Sequence, residues 1–68
     1  MFTVHKIDIN GKLSNKEHLN NDELDHWMVK ALHTFNKIRV EQDLTGKVIV
    51  YEKHYDETGI YASWKKLG

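Results

Sequence analysis

The sequence predicts a small α+β fold of β(β)αββ order, in which one long amphipathic helix packs on one face of a sheet. The sheet is expected to be antiparallel or mixed, with three or four strands. Three observations support this prediction. A central stretch repeats apolar residues with helical spacing, strand-like segments flank it on both sides, and glycines mark the turns between them. With 68 residues, the chain is expected to form one domain over 1–68.

The helix is predicted over 19–42. Apolar residues recur there in steps of one and three, the spacing of one face at about 3.6 residues per turn. On a helical wheel they fall within an arc of about 120°. These residues are Leu24, Trp27, Met28, Ala31, Leu32, Phe35 and Ile38. No strand would cluster them in this way, because neighbours along a strand point to opposite faces.

The start of the helix is marked by a capping pattern. Asn20 is the predicted N-cap, and Glu23, three residues later, can reach back to it as in a capping box. Asn21 and Asp22 are alternative caps. Residues 43–46 are predicted to form the loop that leaves the helix, with Gly46 free to take a positive φ.

The N-terminal segment 1–9 is rich in β-branched and aromatic residues and is predicted to be a strand. Asn10-Gly11 is a strong hairpin-turn signal, because both residues tolerate positive φ. A short return strand is predicted over 12–15, and 16–18 should then lead into the helix.

The C-terminal part predicts a hairpin of strands 47–54 and 60–66, joined by a turn with Gly59 in the left-handed conformation. A four-residue loop would place Tyr55 opposite Ile60 and Tyr51 opposite Trp64. That register predicts an apolar face toward the helix, formed by Ile49, Tyr51, Tyr55, Ile60, Ala62 and Trp64.

Composition limits the range of functions. Ten Lys plus Arg balance ten Asp plus Glu, so the formal charge of zero supplies no long-range attraction to nucleic acid or to an anionic membrane. No cysteine is present, and no apolar run approaches the ~20 residues that span a bilayer. The first residues do not resemble a signal peptide. We therefore expect a cytoplasmic protein, and the composition favours a bacterial or phage origin.

No catalytic signature is present in the sequence. His26 and His33 share a helix face, but their spacing of seven does not match the His-x-x-x-His pattern of a helical zinc pair. The glycines are isolated, and Ser14 and Ser63 lack the context of a nucleophile. We accordingly expect no enzyme activity, no metal and no cofactor.

The leading interpretation is a small non-enzymatic interaction protein, such as an inhibitor, adaptor or accessory factor, that binds another protein. Two β-branched residues, Val29 and Val40, are predicted on the outer face of the long helix, where a solvated surface would not favour them. His33, Asn36 and His26 lie beside them on the helical wheel. These five residues are the predicted contact surface for a partner or for a second copy in a homodimer.

The alternative interpretation is a single-stranded nucleic-acid-binding protein that uses the C-terminal hairpin. Such proteins combine exposed aromatic residues with a basic surface. The candidate residues are Tyr61, Lys53, Lys65 and Lys66. Tyr61 is the one hairpin aromatic that is predicted to face away from the core. A free sheet edge, with no proline to block strand addition, is a further route to a partner.

Overall fold

The computed structural model describes residues 1–67 and contains one helix and five strands. They follow in the order β1 (Phe2–Ile7), β2 (Glu17–Leu19), α1 (Asn21–Leu32), β3 (Lys37–Gln42), β4 (Lys47–Tyr55) and β5 (Ala62–Leu67). The sheet order is β2-β1-β3-β4-β5, and every neighbouring pair is antiparallel. The α+β class is confirmed, whereas the prediction of three or four strands is wrong.

The predicted N-terminus of the helix is confirmed. The Oδ1 of Asn20 accepts a hydrogen bond from the main-chain N–H of Glu23 at 2.9 Å, and Glu23 Oε1 accepts one from Asn20 N–H at 3.0 Å. This reciprocal capping box satisfies two N–H groups that an uncapped helix would leave free. Asn20 is therefore the cap, and the alternatives Asn21 and Asp22 are the first helical residues.

The predicted length of the helix is wrong. Helix α1 ends at Leu32, and the last part of the predicted helix forms β3, the central strand of the sheet. There Val40 lies between Val4 of β1 and Ile49 of β4. Pairing on both sides satisfies the main chain of β3, and the strand buries Ile38 and Val40 on one face. A longer helix would place these two residues on opposite faces. Tertiary pairing thus outweighs the helical spacing.

The segment 43–46 connects β3 to β4 and is not a helix exit. Gly46 takes the predicted positive φ, of 72°, and its N–H donates to the carbonyl of Gln42 at 2.8 Å. The prediction of the left-handed glycine is confirmed, although the element that it terminates is a strand.

The N-terminal strand is confirmed over Phe2–Ile7, and the chain turns at Asn10-Gly11 as predicted. Asp8 organises this turn, since its Oδ1 accepts from the N–H groups of Asn10 and Lys12. The predicted return strand over 12–15 is wrong. A single bridge joins Ile7 to Leu13, and the strand that pairs with β1 on this side is β2. Residues predicted to lead directly into the helix therefore belong to the sheet.

The C-terminal hairpin has a longer loop than predicted. Tyr55 lies opposite Ala62, and Tyr51 lies opposite Lys66 rather than Trp64. The register differs from the predicted one by two residues, which preserves the facing of every side chain. The apolar face is therefore confirmed for Ile49, Tyr51, Ala62 and Trp64, but Tyr55 and Ile60 are exposed.

The core lies between α1 and one face of the sheet. Val4, Ala31, Ile38 and Val40 are buried, and half-buried side chains surround them: Phe2, Leu19, Leu24, Trp27, Met28, Tyr51 and Trp64. The stripe predicted on the helix thus does supply the core through its N-terminal part. No helix within the described residues is long and apolar enough to cross a membrane.

Candidate interaction surface

The predicted contact surface of five residues does not form. Val29 is 60% exposed on the outer side of α1, as expected. Val40 is 5% exposed and lies in the core, so its assignment to the same surface is wrong. The reason is the early end of the helix, which places Val40 on β3 with its side chain facing α1.

The other three predicted contact residues are exposed but lie in different settings. His26 is on α1, and His33 is the C-cap of that helix. Asn36 precedes β3, and its carbonyl accepts a hydrogen bond from the main-chain N–H of Lys53 at 2.8 Å. Asn36 therefore extends the β3–β4 ladder by one position with its main chain.

The structure instead forms an exposed groove where the end of α1 meets the tip of the β4–β5 hairpin. We call it the tyrosine groove. It has a volume of about 380 Å³ and is lined by Leu32, His33, Lys53, Tyr55, Ile60, Tyr61 and Ala62. It unites His33 from the first predicted surface with Tyr61 and Lys53 from the predicted nucleic-acid surface.

Three large side chains of the tyrosine groove are mostly in solvent. Tyr55 is 53% exposed, Ile60 is 74% exposed and Tyr61 is 72% exposed. Sequence reasoning missed two of them, because the predicted register placed Tyr55 and Ile60 in the core. In the six-residue loop 56–61, Ile60 and Tyr61 lie beyond the last paired residues of the ladder, Tyr55 and Ala62.

The loop of the hairpin is held by one carboxylate. Asp56 Oδ1 accepts from the Thr58 hydroxyl at 2.6 Å and from the Thr58 N–H at 3.0 Å. The main chain of Asp56 also donates to Tyr61 O at 2.9 Å and accepts from Gly59 N–H at 3.0 Å. Gly59 adopts a φ of 73°, as predicted. The loop that displays Ile60 and Tyr61 therefore has a defined shape.

These bonds also affect the ionisation of Asp56. The hydrogen bond from the Thr58 hydroxyl, together with bonds from main-chain N–H groups, lowers the pKa of Asp56 below its ordinary value of 3.8. Each donor favours the charged carboxylate over the neutral acid. At neutral pH the loop is thus held by a charged acceptor.

The predicted nucleic-acid residues are only partly gathered. Lys53 Nζ lies 5.8 Å from the centre of the Tyr55 ring, in the tyrosine groove with Tyr61. Lys65 and Lys66 lie on β5, outside the groove, and their side chains point to opposite faces of the sheet. Of the four residues, the groove therefore brings together Tyr61 and Lys53.

A second concavity, of about 500 Å³, lies where β1 ends and β3 begins. Its lining is Ile7, Asp8, Ile9, Gly11, Thr34, Phe35, Asn36 and Lys37. Its two ionisable side chains are Asp8, whose Oδ1 already holds the turn, and Lys37, which pairs with Glu52 at 3.7 Å. Its aromatic ring, Phe35, is half-buried and has Lys6 Nζ 5.0 Å from its centre. Ile9, which also lines this concavity, is 99% exposed. The tyrosine groove differs from it by carrying two exposed tyrosine rings, Tyr55 and Tyr61.

Within residues 1–67, no three histidine, aspartate or glutamate side chains are close enough to hold a metal ion. In comparisons with known proteins, no family model, no curated protein and no solved structure matches the chain significantly. The functional proposal therefore depends on the surface of the molecule.

Proposed function

We propose that the protein is a small non-enzymatic interaction protein that binds another protein through the tyrosine groove. The observation that carries this proposal is the exposure of Tyr55, Ile60 and Tyr61, each more than half in solvent, around one groove. Exposed apolar clusters mark sites of association, and tyrosine is enriched at the energetic centres of interfaces. A role as an inhibitor, adaptor or accessory factor fits such a surface.

The order of the hairpin loop supports the same proposal. Binding is weakened when a loop must be ordered at the moment of association. The Asp56 bonds and the left-handed Gly59 shape this loop before any partner arrives. The two tyrosines also have few side-chain torsions to lose, which lowers the entropic cost of contact.

The test is capture of a partner from nuclease-treated bacterial lysate by the tagged protein and by matched variants. Tyr61→Ser and Ile60→Ser should each lose a protein that the unmodified chain retains. Val29→Ser is the control, because Val29 is similarly exposed but does not line the groove. Equal capture by all four proteins would overturn the proposal.

A second candidate is single-stranded nucleic-acid binding, which the joint presence of Lys53, Tyr55 and Tyr61 in one groove favours. Stacking on each aromatic ring is worth about 1–3 kcal/mol per base. The formal charge of zero weakens the electrostatic contribution, so we rank this candidate second. It predicts salt-sensitive binding of oligo-deoxythymidine that Tyr61→Ala reduces, and protein capture that nuclease abolishes.

A further inference from the structure

We propose that the partner presents an extended acidic segment, which adds to β5 as a sixth strand and ends in the tyrosine groove. This inference rests on the proposed function and specifies the chemistry of the partner. It is carried by the hydrogen-bonding state of β5, by the charges along it and by its continuity with the groove.

The outer edge of β5 is free within the described chain, because β5 is the last strand in the sheet order. In antiparallel pairs, residues alternate between pointing their main-chain groups at the partner strand and pointing them away. Asp56 N–H donates to Tyr61 O, so in the observed register Ser63, Lys65 and Leu67 point inward to β4. The main-chain groups of Ala62, Trp64 and Lys66 therefore point to the open edge.

The β3–β4 ladder gives an independent check of which β5 residues point their main-chain groups outward. Lys53 N–H donates to Asn36 O, so the main chain of Lys53 points to β3 and away from β5. Trp64 lies opposite Lys53 in the register. Its main-chain N–H and C=O therefore have no partner on Lys53 and point to the open edge. Both hydrogen bonds lead to the same three outward-facing residues.

The opposite edge of the sheet is less suited to strand addition. Strand β2 has only three residues. Beyond it, Ser14 covers β1, since its N–H donates to Lys6 O at 2.8 Å and its hydroxyl accepts from Lys6 N–H at 2.9 Å. Strand β5 offers six residues, or about 20 Å of backbone. It is also free of proline, which would remove an edge donor.

The charges along β5 select an acidic occupant. Lys65 and Lys66 are its only charged residues, and neither takes part in the ion pairs formed within residues 1–67, Lys37–Glu52 and Arg39–Glu41. Glu52 lies opposite Lys65 but pairs with Lys37. A second copy pairing antiparallel along the whole of β5 would place Lys66 opposite Ala62 and Lys65 opposite Ser63, and would therefore leave both lysines without an acidic partner.

The edge and the groove are continuous. Ala62, the first residue of β5, also lines the tyrosine groove together with Tyr61. A strand added along Ala62, Trp64 and Lys66 would therefore place its terminal side chains beside the two tyrosines. We expect an aromatic or branched apolar residue there and acidic residues near Lys65 and Lys66. Lys53, within the groove, adds a positive charge at the groove end of the site, away from Lys65 and Lys66.

The experiment is selection of a random twelve-residue peptide display library on the intact, immobilised protein. We expect enriched peptides with an excess of Asp and Glu and one large apolar residue near an end. Lys66→Glu should weaken their binding by at least tenfold, by charge reversal. Recovery of no peptide, or of peptides without an acidic excess, would overturn the inference.

Strand addition itself is tested with two substitutions at one position. Lys66→Pro removes both the outward N–H and the charge, whereas Lys66→Gln removes the charge alone. We expect Lys66→Pro to bind a selected peptide at least tenfold more weakly than Lys66→Gln, with the circular dichroism spectrum of the free protein unchanged. Equal affinities would mean that no edge hydrogen bond is made, which rejects strand addition.

Modified peptides make the test independent of folding by the proline variant. Two versions of a selected peptide, N-methylated at alternate residues, are titrated into the unmodified protein. One version should retain binding and the other lose it, because only alternate main-chain groups face β5. Equal behaviour of the two versions would again reject strand addition.

These outcomes separate the inference from the proposed function. If Tyr61→Ser abolishes protein capture while Lys66→Pro leaves it intact, the groove binds a partner, but the inference that the partner adds a sixth strand is wrong. If capture is insensitive to Tyr61→Ser, the proposed function itself fails. Concentration-dependent dimerisation that Lys66→Pro abolishes would identify a second copy as the occupant and overturn the acidic segment.

Discussion

The indole N–H of Trp64 donates a hydrogen bond to the main-chain carbonyl of Met28 at 2.8 Å. This bond joins β5 to α1 across thirty-six residues of sequence, in a partly buried position. It holds the strand that carries the free edge against the helix whose end lines the tyrosine groove. Together with the β4–β5 ladder, this side chain therefore helps to position the proposed binding surface.

Replacing Trp64 by phenylalanine should lower the free energy of unfolding by about 1–2 kcal/mol, through loss of the hydrogen bond and of indole packing. Trp27→Phe is the matched control. Its indole N–H also makes a 2.8 Å bond, to Glu17 Oε2, but in an exposed setting. Urea denaturation should show the larger loss for Trp64→Phe, and equal losses would contradict the role assigned to the Met28 contact.

The two valines that the sequence placed together should behave differently. Val40→Ala removes buried apolar atoms between β1, β3 and β4 and should cost about 1.5–3 kcal/mol. Val29→Ala, at an exposed helical position, should change stability by less than about 0.5 kcal/mol. Thermal unfolding of both variants measures the difference. If Val40→Ala were as stable as the unmodified protein, the assignment of β3 to the core would be wrong.

The capping box predicts a modest cost at the start of α1. Asn20→Ala removes the acceptor for Glu23 N–H and should lower the free energy of unfolding by about 1 kcal/mol. Asn20→Ser should retain most of that stability, since serine caps helices comparably well. Denaturation curves of the two variants provide the comparison. If they are equally destabilised, the loss does not come from the cap.

Gly59 should tolerate an L-residue poorly for reasons of backbone conformation alone. Its φ is 73°, and a Cβ added at this position would meet no neighbouring atom within 4 Å. Gly59→Ala should therefore cost about 1–2 kcal/mol from the left-handed conformation, without a clash. Gly59→Asn should cost less, because asparagine visits that region more readily. Comparable losses for both residues would indicate a steric rather than a conformational cause.

Acid should loosen the tip of the hairpin. The pKa of Asp56 is lowered in the folded protein, chiefly by the Thr58 hydroxyl, so its contribution to stability is complete above the unfolded pKa. That contribution is lost as the pH falls through the lower, folded pKa. NMR titration of the Asp56 carboxyl carbon should show this lowered midpoint, and Thr58→Val should raise it. Glu57→Gln is the control, because Glu57 makes none of the Asp56 bonds.

The sequence predicted those parts of the fold that depend on local chemistry. The Asn20 cap, the left-handed glycines at 46 and 59 and the facing of Tyr51 and Trp64 all follow from neighbouring residues. The end of the helix does not follow from neighbouring residues, because α1 ends at Leu32 without a glycine or proline signal. Ile38 also fits a continued helical stripe as well as it fits a strand. Pairing between β1, β3 and β4 makes this segment a strand. Such long-range pairing cannot be predicted from the local pattern of a single sequence.

The candidate surface was missed for a related reason. Loop length in the C-terminal hairpin determines whether Ile60 enters the ladder or the solvent, and alternation is the same for loops of four and six residues. The side-chain bond from Thr58 to Asp56 stabilises the longer loop. The residues Asp56, Thr58 and Gly59 indicate a turn, but they do not indicate how many residues it contains.

The pairing of β1 with β3 has a consequence for the order in which the protein forms. Strands β3, β4 and β5 are a meander of consecutive hairpins, whereas the pairing of β1 with β3 joins residues some thirty-five positions apart in the chain. Closing such a loop is slow compared with zipping a hairpin. During synthesis, β1, with the fully buried Val4, thus has only the three-residue β2 as a neighbouring strand until β3 has been made.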